Sequence, residues 1–199
     1  MAKELHKCLI IYFSQLEKVD CKWKELSQEA ERPLQALRNQ SEQIRLVTSK
    51  EVNDAELCKI DELYERLIFK ILMGIDNELA LLLDILARFN SINQDLKNRL
   101  KNLEDARSKV SLKDETMTEL NNGTPYRPRL NLLLEWAIDA FNYYHELYLF
   151  INENIKQFDY KDEETIKNLT KSFVEDRFKR ARIDRILGFT QFLVTETVR

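Results

Sequence analysis

Three features of the sequence predict an all-α fold, an elongated helical bundle with coiled-coil-like helix pairing. Glycine and proline together number six in 199 residues, where an average chain of this length carries roughly 24. Apolar residues recur at spacings of three and four along most of the chain, the period of a helix with one buried face. From Ile68 to Leu103 that spacing holds a single heptad phase, over about five repeats. Charged residues make up 33% and hydrophobic residues 44%, which suits a folded helical chain and argues against global disorder. The length fits a single domain, residues 1–199.

The first helix is expected over residues 1–47. Leu5, Leu9, Tyr12, Leu16, Val19, Trp23 and Leu26 form one apolar stripe, which Leu34, Leu37, Ile44 and Val47 continue beyond Pro33. Proline lacks an N–H and crowds the preceding turn, so Pro33 should kink or divide this helix. Thr48 to Asn53 is a polar break. A long heptad helix follows over 54–104, with Asn53 or Asp54 as its cap and Glu56 placed to help. Its seam is Ile68, Leu72, Ile75, Leu79, Leu82, Leu86, Phe89, Leu96, Leu100 and Leu103, with Asn93 at the missing position. Such a seam either packs antiparallel within the chain or faces another protein, and a lone Asn in it can set register.

Residues 105–127 read as a polar linker ending in Asn121-Asn122-Gly123-Thr124-Pro125, with a short helical turn around Asp114 to Leu120. An aromatic-rich helix is expected over 128–158, opened by Pro128. Its main stripe is Leu130, Leu134, Ile138, Phe141, Tyr144, Tyr148 and Ile151, and Tyr143, Leu147 and Phe150 add a second flank. So wide an apolar face marks a central helix or one covered by a partner. After a break at Phe158 to Asp162, helices over 163–197 carry Ile166, Leu169 and Phe173, then Phe178, Ile183, Ile186, Leu187, Phe189, Leu193 and Val194. Phe173 and Phe178 read as core residues at helical spacing.

The signatures of catalysis are missing. His6 and His145 are the two histidines, and neither stands at metal-ligand spacing from a second ligand. His145-Glu146 opens like a zincin motif, but Leu149 takes the place of the second histidine. Three scattered glycines cannot write a phosphate-cradling loop. A nucleophilic pair of Cys8 with His6 is the one enzymatic alternative, although buried helical cysteines are usually inert. The expectation is a non-enzymatic protein without catalytic residues, cofactor or metal. Cys8, Cys21 and Cys58 are odd in number and widely spaced, so they read as free thiols of a reducing compartment. No apolar run reaches the roughly 18 residues of a membrane span, and the N-terminus lacks a signal-peptide pattern. The expected location is cytoplasmic and nuclear, with no membrane contact.

Net charge is −3, which argues against a protein that holds nucleic acid mainly through phosphates. One basic cluster stands out near the C-terminus. Lys171, Arg177, Lys179, Arg180, Arg182 and Arg185 are opposed by Glu175, Asp176 and Asp184. It reads as a solvated helix face, or as a contact for RNA or an acidic partner. Trp23 and Trp136 read as core anchors or as interface hot spots.

Two blocks carry a family resemblance. The first runs from Lys7-Cys8 through Trp23 to Pro33-Leu34 and Glu42-Gln43. The second is Leu133-Leu134-Glu135-Trp136 with Asp139, Tyr144 and Tyr148, then a helical C-terminus near Phe192-Leu193 and Glu196. The middle helix matches the same family in length and pattern, with Glu65-Arg66-Leu67 the best local agreement. In this order of features the chain resembles the small AAA-ATPase-interacting ribosome maturation factors, over most of its length. A related helical protein that interacts with a cyclin-dependent kinase shares a similar Trp–Tyr helix.

The resemblance implies a non-enzymatic adaptor subunit. Its partners would be a hexameric AAA+ ATPase, a second small helical subunit of the cyclin-dependent-kinase-interacting type and, indirectly, the pre-60S particle. The role implied is late maturation of the large ribosomal subunit, by release or recycling of assembly factors, with a link to chromatin and replication proteostasis. Leu133, Trp136, Tyr144 and Tyr148 would anchor either the bundle or the interface. The family's third helix often turns basic after the second Tyr, whereas Phe150, Ile151 and Asn152 stand here, so no charge contact carries over at that point. Two rivals remain from the residues themselves. One is an RNA-binding module using Arg177, Lys179, Arg180, Arg182 and Arg185; the other is a self-associating coiled coil that charges at Leu79 or Leu86 would break.

Overall fold

The stripe that starts at Leu5 winds into a helix of 46 residues, α1 (Ala2–Val47). The heptad stretch forms α2 (Leu63–Ser108). A 3-10 turn (Glu115–Met117) leads into the short α3 (Thr118–Asn122). Then come α4 (Leu130–Lys156), α5 (Glu163–Ser172) and α6 (Arg177–Thr190). The computed structural model describes residues 2–49, 62–111 and 115–193. The fold is all-α, and no strand occurs among those residues. The proposed caps Asn53, Asp54 and Glu56, together with Cys58, Asp114, Val194 and Glu196, lie outside them.

The chain forms two compact units, and α1, α2 and α4 contribute to both. The first comprises Met1–Lys24, Phe89–Tyr148 and Glu175–Arg199. Its core sets Leu9, Leu16 and Trp23 of α1 with Phe89, Leu96 and Leu103 of α2, Leu133 and Tyr144 of α4, and Ile183 and Ile186 of α6. Trp23 is its hub. The indole packs on Phe89 at 4.2 Å and on Tyr144 at 5.1 Å between ring centroids. The second unit comprises Glu25–Arg88 and Leu149–Val174. There Leu26, Ala30, Leu34 and Leu37 of α1 are buried, as are Ile75, Leu82 and Leu86 of α2, Ile151 and Ile155 of α4, and Ile166 and Leu169 of α5. Each fully buried Leu or Ile contributes about 2 kcal/mol, so both units rest chiefly on apolar burial.

Several local expectations change. Pro33 does not divide the first helix, which runs on to Val47. Pro33 is itself buried, and its neighbours Ala30, Leu34 and Leu37 are buried with it. That packing offsets the lost hydrogen bond, because tertiary burial rather than local propensity holds most protein helices. The inward row of α4 is also not the expected stripe. Leu130, Leu133, Ala137, Ala140 and Tyr144 are buried, whereas Ile138 is exposed. Alanines at the contact let other chain segments approach α4 closely. Tyr12 Oη donates to the Ala137 carbonyl at 2.6 Å from α1. Phe178 is not core either, being 90% exposed. It stands five residues before Ile183, off the row that Ile183, Ile186 and Thr190 bury.

The stretch read as a linker is packed into the first unit. Val110, Met117, Leu120 and Arg127 are buried. Arg127 Nη2 donates to the Glu119 carbonyl at 3.1 Å and to Glu119 Oε1 at 3.3 Å. Thr124 and Arg127 exchange backbone hydrogen bonds across a tight turn. Gly123 enters that turn at φ +72°, where a Cβ would meet the Arg127 carbonyl oxygen at 2.8 Å, so glycine is required.

Side chains fix the later helix starts. Asp162 accepts the Glu164 amide, and Asp176 accepts those of Phe178 and Lys179. Gly188 lies inside α6, and a Cβ there would meet nothing within 4 Å. Gly188→Ala is therefore expected to stabilise the protein by about 0.5–1 kcal/mol, read as a rise in thermal midpoint.

Candidate interaction surfaces

Among the described residues no group of His, Cys, Asp and Glu is arranged to hold a metal ion. The Cys8 thiol is pushed up by burial and by the nearby Glu4 carboxylate. A nucleophilic thiol needs the opposite shift. His145 has a structural place. Asn93 Nδ2 lies 2.9 Å from its Nδ1, and its ring stacks on Phe141. Asn93 is buried, so the polar position in the seam is matched by a polar group inside the same unit.

The basic cluster is largely spent within the first unit. Arg180 Nη1 bonds the Asp20 carboxylate, and its fork also meets Asp184 at 2.7 Å and Glu175 at 3.4 Å. Asp20 further accepts from Lys24 at 2.8 Å and from Tyr144 Oη at 2.8 Å. Tyr143 Oη donates to Glu175 at 2.5 Å. Burial alone would raise the Asp20 carboxyl, but the bonds from Arg180, Lys24 and Tyr144 outweigh it and hold the group down to about 2. The Tyr144 hydroxyl is pushed well above its ordinary value by burial and by the Asp20 charge.

Arg182 pairs with Asp139 and with Glu135, and Lys179 pairs with Glu146 at 2.8 Å. Among the described residues only Arg177 and Arg185 of the five α6 cations lack an acidic partner. An RNA site built on counterion release needs several free cations in register, and this helix does not present them.

The residues expected to meet partners fall into two groups. Leu133, Tyr144 and Leu86 are buried in their own units. Burial of this kind is what the bundle-anchor alternative expects of them. Trp136, Tyr148 and Leu79 are half-buried, and Trp136 stacks on Phe189 with centroids 5.7 Å apart. The heptad seam is filled inside the chain, since Ile75, Leu82, Leu86, Phe89, Leu96 and Leu103 are all buried. Self-association through that seam therefore lacks a free surface.

The structure leaves a different row open. Phe69, Met73 and Leu83 of α2 are exposed, Phe69 by 63%, and so are Ala80 and Ala87 between and beyond them. Each stands one position after a seam residue, so the spacing four, seven, three, four repeats the seam's phase on another face. Asp76, one position after Ile75, interrupts the row in the gap between Met73 and Ala80, Asp84 flanks it, and Leu63, Leu67 and Leu81 are exposed beside it. The sequence held this signal. It was masked because the seam's own large residues dominate the same heptads. A single helix carrying two apolar rows has one row to pack internally and one to offer.

A family model described as CA109-like, ribosome biogenesis protein C1orf109-like, matches residues 3–190, nearly the whole chain. No curated protein matches it.

Proposed function

The chain belongs to the C1orf109-like ribosome biogenesis proteins, and on that premise we propose that it is an adaptor subunit of an AAA+ ATPase complex. It works without chemistry of its own in late maturation of the large ribosomal subunit, where the ATPase releases or recycles assembly factors. It joins the ATPase together with a second small helical subunit of the cyclin-dependent-kinase-interacting type, in cytoplasm and nucleus. The role in ribosome biogenesis is the family's. The adaptor role is our reading.

The observation that carries it is the open row Phe69, Met73, Ala80, Leu83 and Ala87 on α2. Ala80 and Ala87 on either side of Leu83 leave hollows that the knobs of another helix can fill. Phosphoryl-transfer chemistry would be supplied by the ATPase. No helix among the described residues is long and apolar enough to cross a membrane.

Purification of the tagged protein from its native cells, at physiological salt and after nuclease treatment, tests this reading. Mass spectrometry should find an AAA+ ATPase and a second small helical protein in amounts near those of the bait. Recovery of the bait alone, or of material lost on nuclease treatment, would overturn it.

A further inference from the structure

We propose that a basic groove between α1 and α5, within the second unit, docks a short acidic amphipathic helix of another protein. The groove has a volume of about 340 Å³. Arg38, Arg45, Lys167 and Lys171 line it against two carboxylates, Glu42 and Glu163, a surplus of two positive charges. The chain as a whole is acidic, at −3, so the groove runs against the protein's overall charge.

These cations differ from those of α6 in how they are paired. Lys167 bonds Glu163 at 2.8 Å. Arg38, Arg45 and Lys171 make no ion pair among the described residues. Arg45 Nη1 is shielded from solvent and has no hydrogen-bond partner, which costs free energy until an acceptor arrives. The Glu163 carboxyl is held below its ordinary value by its bond to Lys167 and by the charges of Lys167, Arg45 and Arg38. The same field would hold an incoming carboxylate ionised.

The floor decides the kind of ligand. Ile166, buried, and Thr170, exposed, stand one turn apart on α5, and Val174, 71% exposed, follows just past the end of that helix. Val174 and the Thr170 methyl give that floor an apolar patch between cationic rims, which suits an amphipathic helix that sets apolar side chains down and carboxylates outward. A phosphate backbone would leave that floor uncovered and would meet Glu42 and Glu163. Along α5 the lining from Glu163 to Lys171 spans about 12 Å, roughly two turns of a docked helix. The proposal does not rest on the open row of α2, which presents apolar residues with aspartates among them.

The test uses the full chain and a fluorescein-labelled synthetic peptide of about 14 residues. Leucine occupies every third or fourth position, and glutamate the rest. Binding is read by fluorescence polarisation. The acidic peptide should bind at least about 10-fold tighter than the same peptide with glutamine for glutamate, and it should weaken as salt rises. Arg38→Glu with Lys171→Glu should weaken it by about 10-fold or more. Arg177→Glu with Arg185→Glu, on α6, should leave it unchanged. Circular dichroism verifies that both variants keep their helices, since all four side chains are exposed. No binding, equal binding of the glutamine peptide, an unaffected groove variant, or displacement of the peptide by single-stranded RNA would each overturn the proposal.

Discussion

Trp23→Ala is expected to lower the unfolding free energy by about 4 kcal/mol. The indole is 2% exposed and touches rings from two other helices, Phe89 of α2 and Tyr144 of α4. Alanine would leave a cavity whose walls belong to three elements, so no single side chain can collapse into it. Tyr144 would also lose the ring that holds its hydroxyl on Asp20. Urea unfolding read by far-ultraviolet circular dichroism measures the loss. A drop under about 1.5 kcal/mol, what a well-repacked hydrophobic swap costs, would show that Trp23 is not the hub of this core.

The second large effect belongs to Asp20. Asp20→Asn keeps the side-chain shape but leaves Arg180, which is 15% exposed, without its most buried counter-charge. The expected cost is about 2–4 kcal/mol at neutral pH, moderated by the bonds that Arg180 keeps to Asp184 and Glu175. The pH dependence separates charge from shape. The folded carboxyl titrates at about 2 and the ordinary value is 3.8, so the unfolded chain takes up the proton first as pH falls. The charge therefore adds about 2 kcal/mol that is fully present above about pH 4. That contribution disappears as the pH falls through about 2. Urea midpoints of native protein and variant should differ most near neutrality and converge toward pH 2. A gap independent of pH would mean that shape alone is at stake.

Much of this was legible in the sequence, for a physical reason. Leu5 to Trp23 and Ile75 to Leu103 announce themselves because large apolar side chains at spacings of three and four have one way to be buried. Where small residues carry the contact, that signal fails. Ala137 and Ala140 line the inward row of α4, yet periodicity built on large residues points to Ile138 instead. Val110, Met117 and Leu120 are too sparse to set a period, so a packed segment reads as a linker.

Charge is harder still. Lys179, Arg180 and Arg182 look like an open basic face because their partners Glu146, Asp20 and Asp139 are distant in sequence. The converse holds for the groove, whose cations Arg38 and Lys171 are brought together only by folding. The open row of α2 was visible in principle. Phe69, Met73 and Leu83 shadow the seam by one residue, and only the burial of the seam reveals which row is left over.

The most direct test of the adaptor role is a paired purification. The tagged native protein and its Met73→Glu/Leu83→Glu variant are recovered side by side from nuclease-treated native cells. The second helical subunit and the AAA+ ATPase are quantified against the bait by mass spectrometry. Both substituted side chains are exposed, so circular dichroism and thermal midpoint should match the native protein. The result expected is loss of the helical subunit from the variant, by about 10-fold or more, with the ATPase reduced alongside it. Equal recovery of both partners with native and variant bait would contradict the assignment of the α2 row as the adaptor's interface.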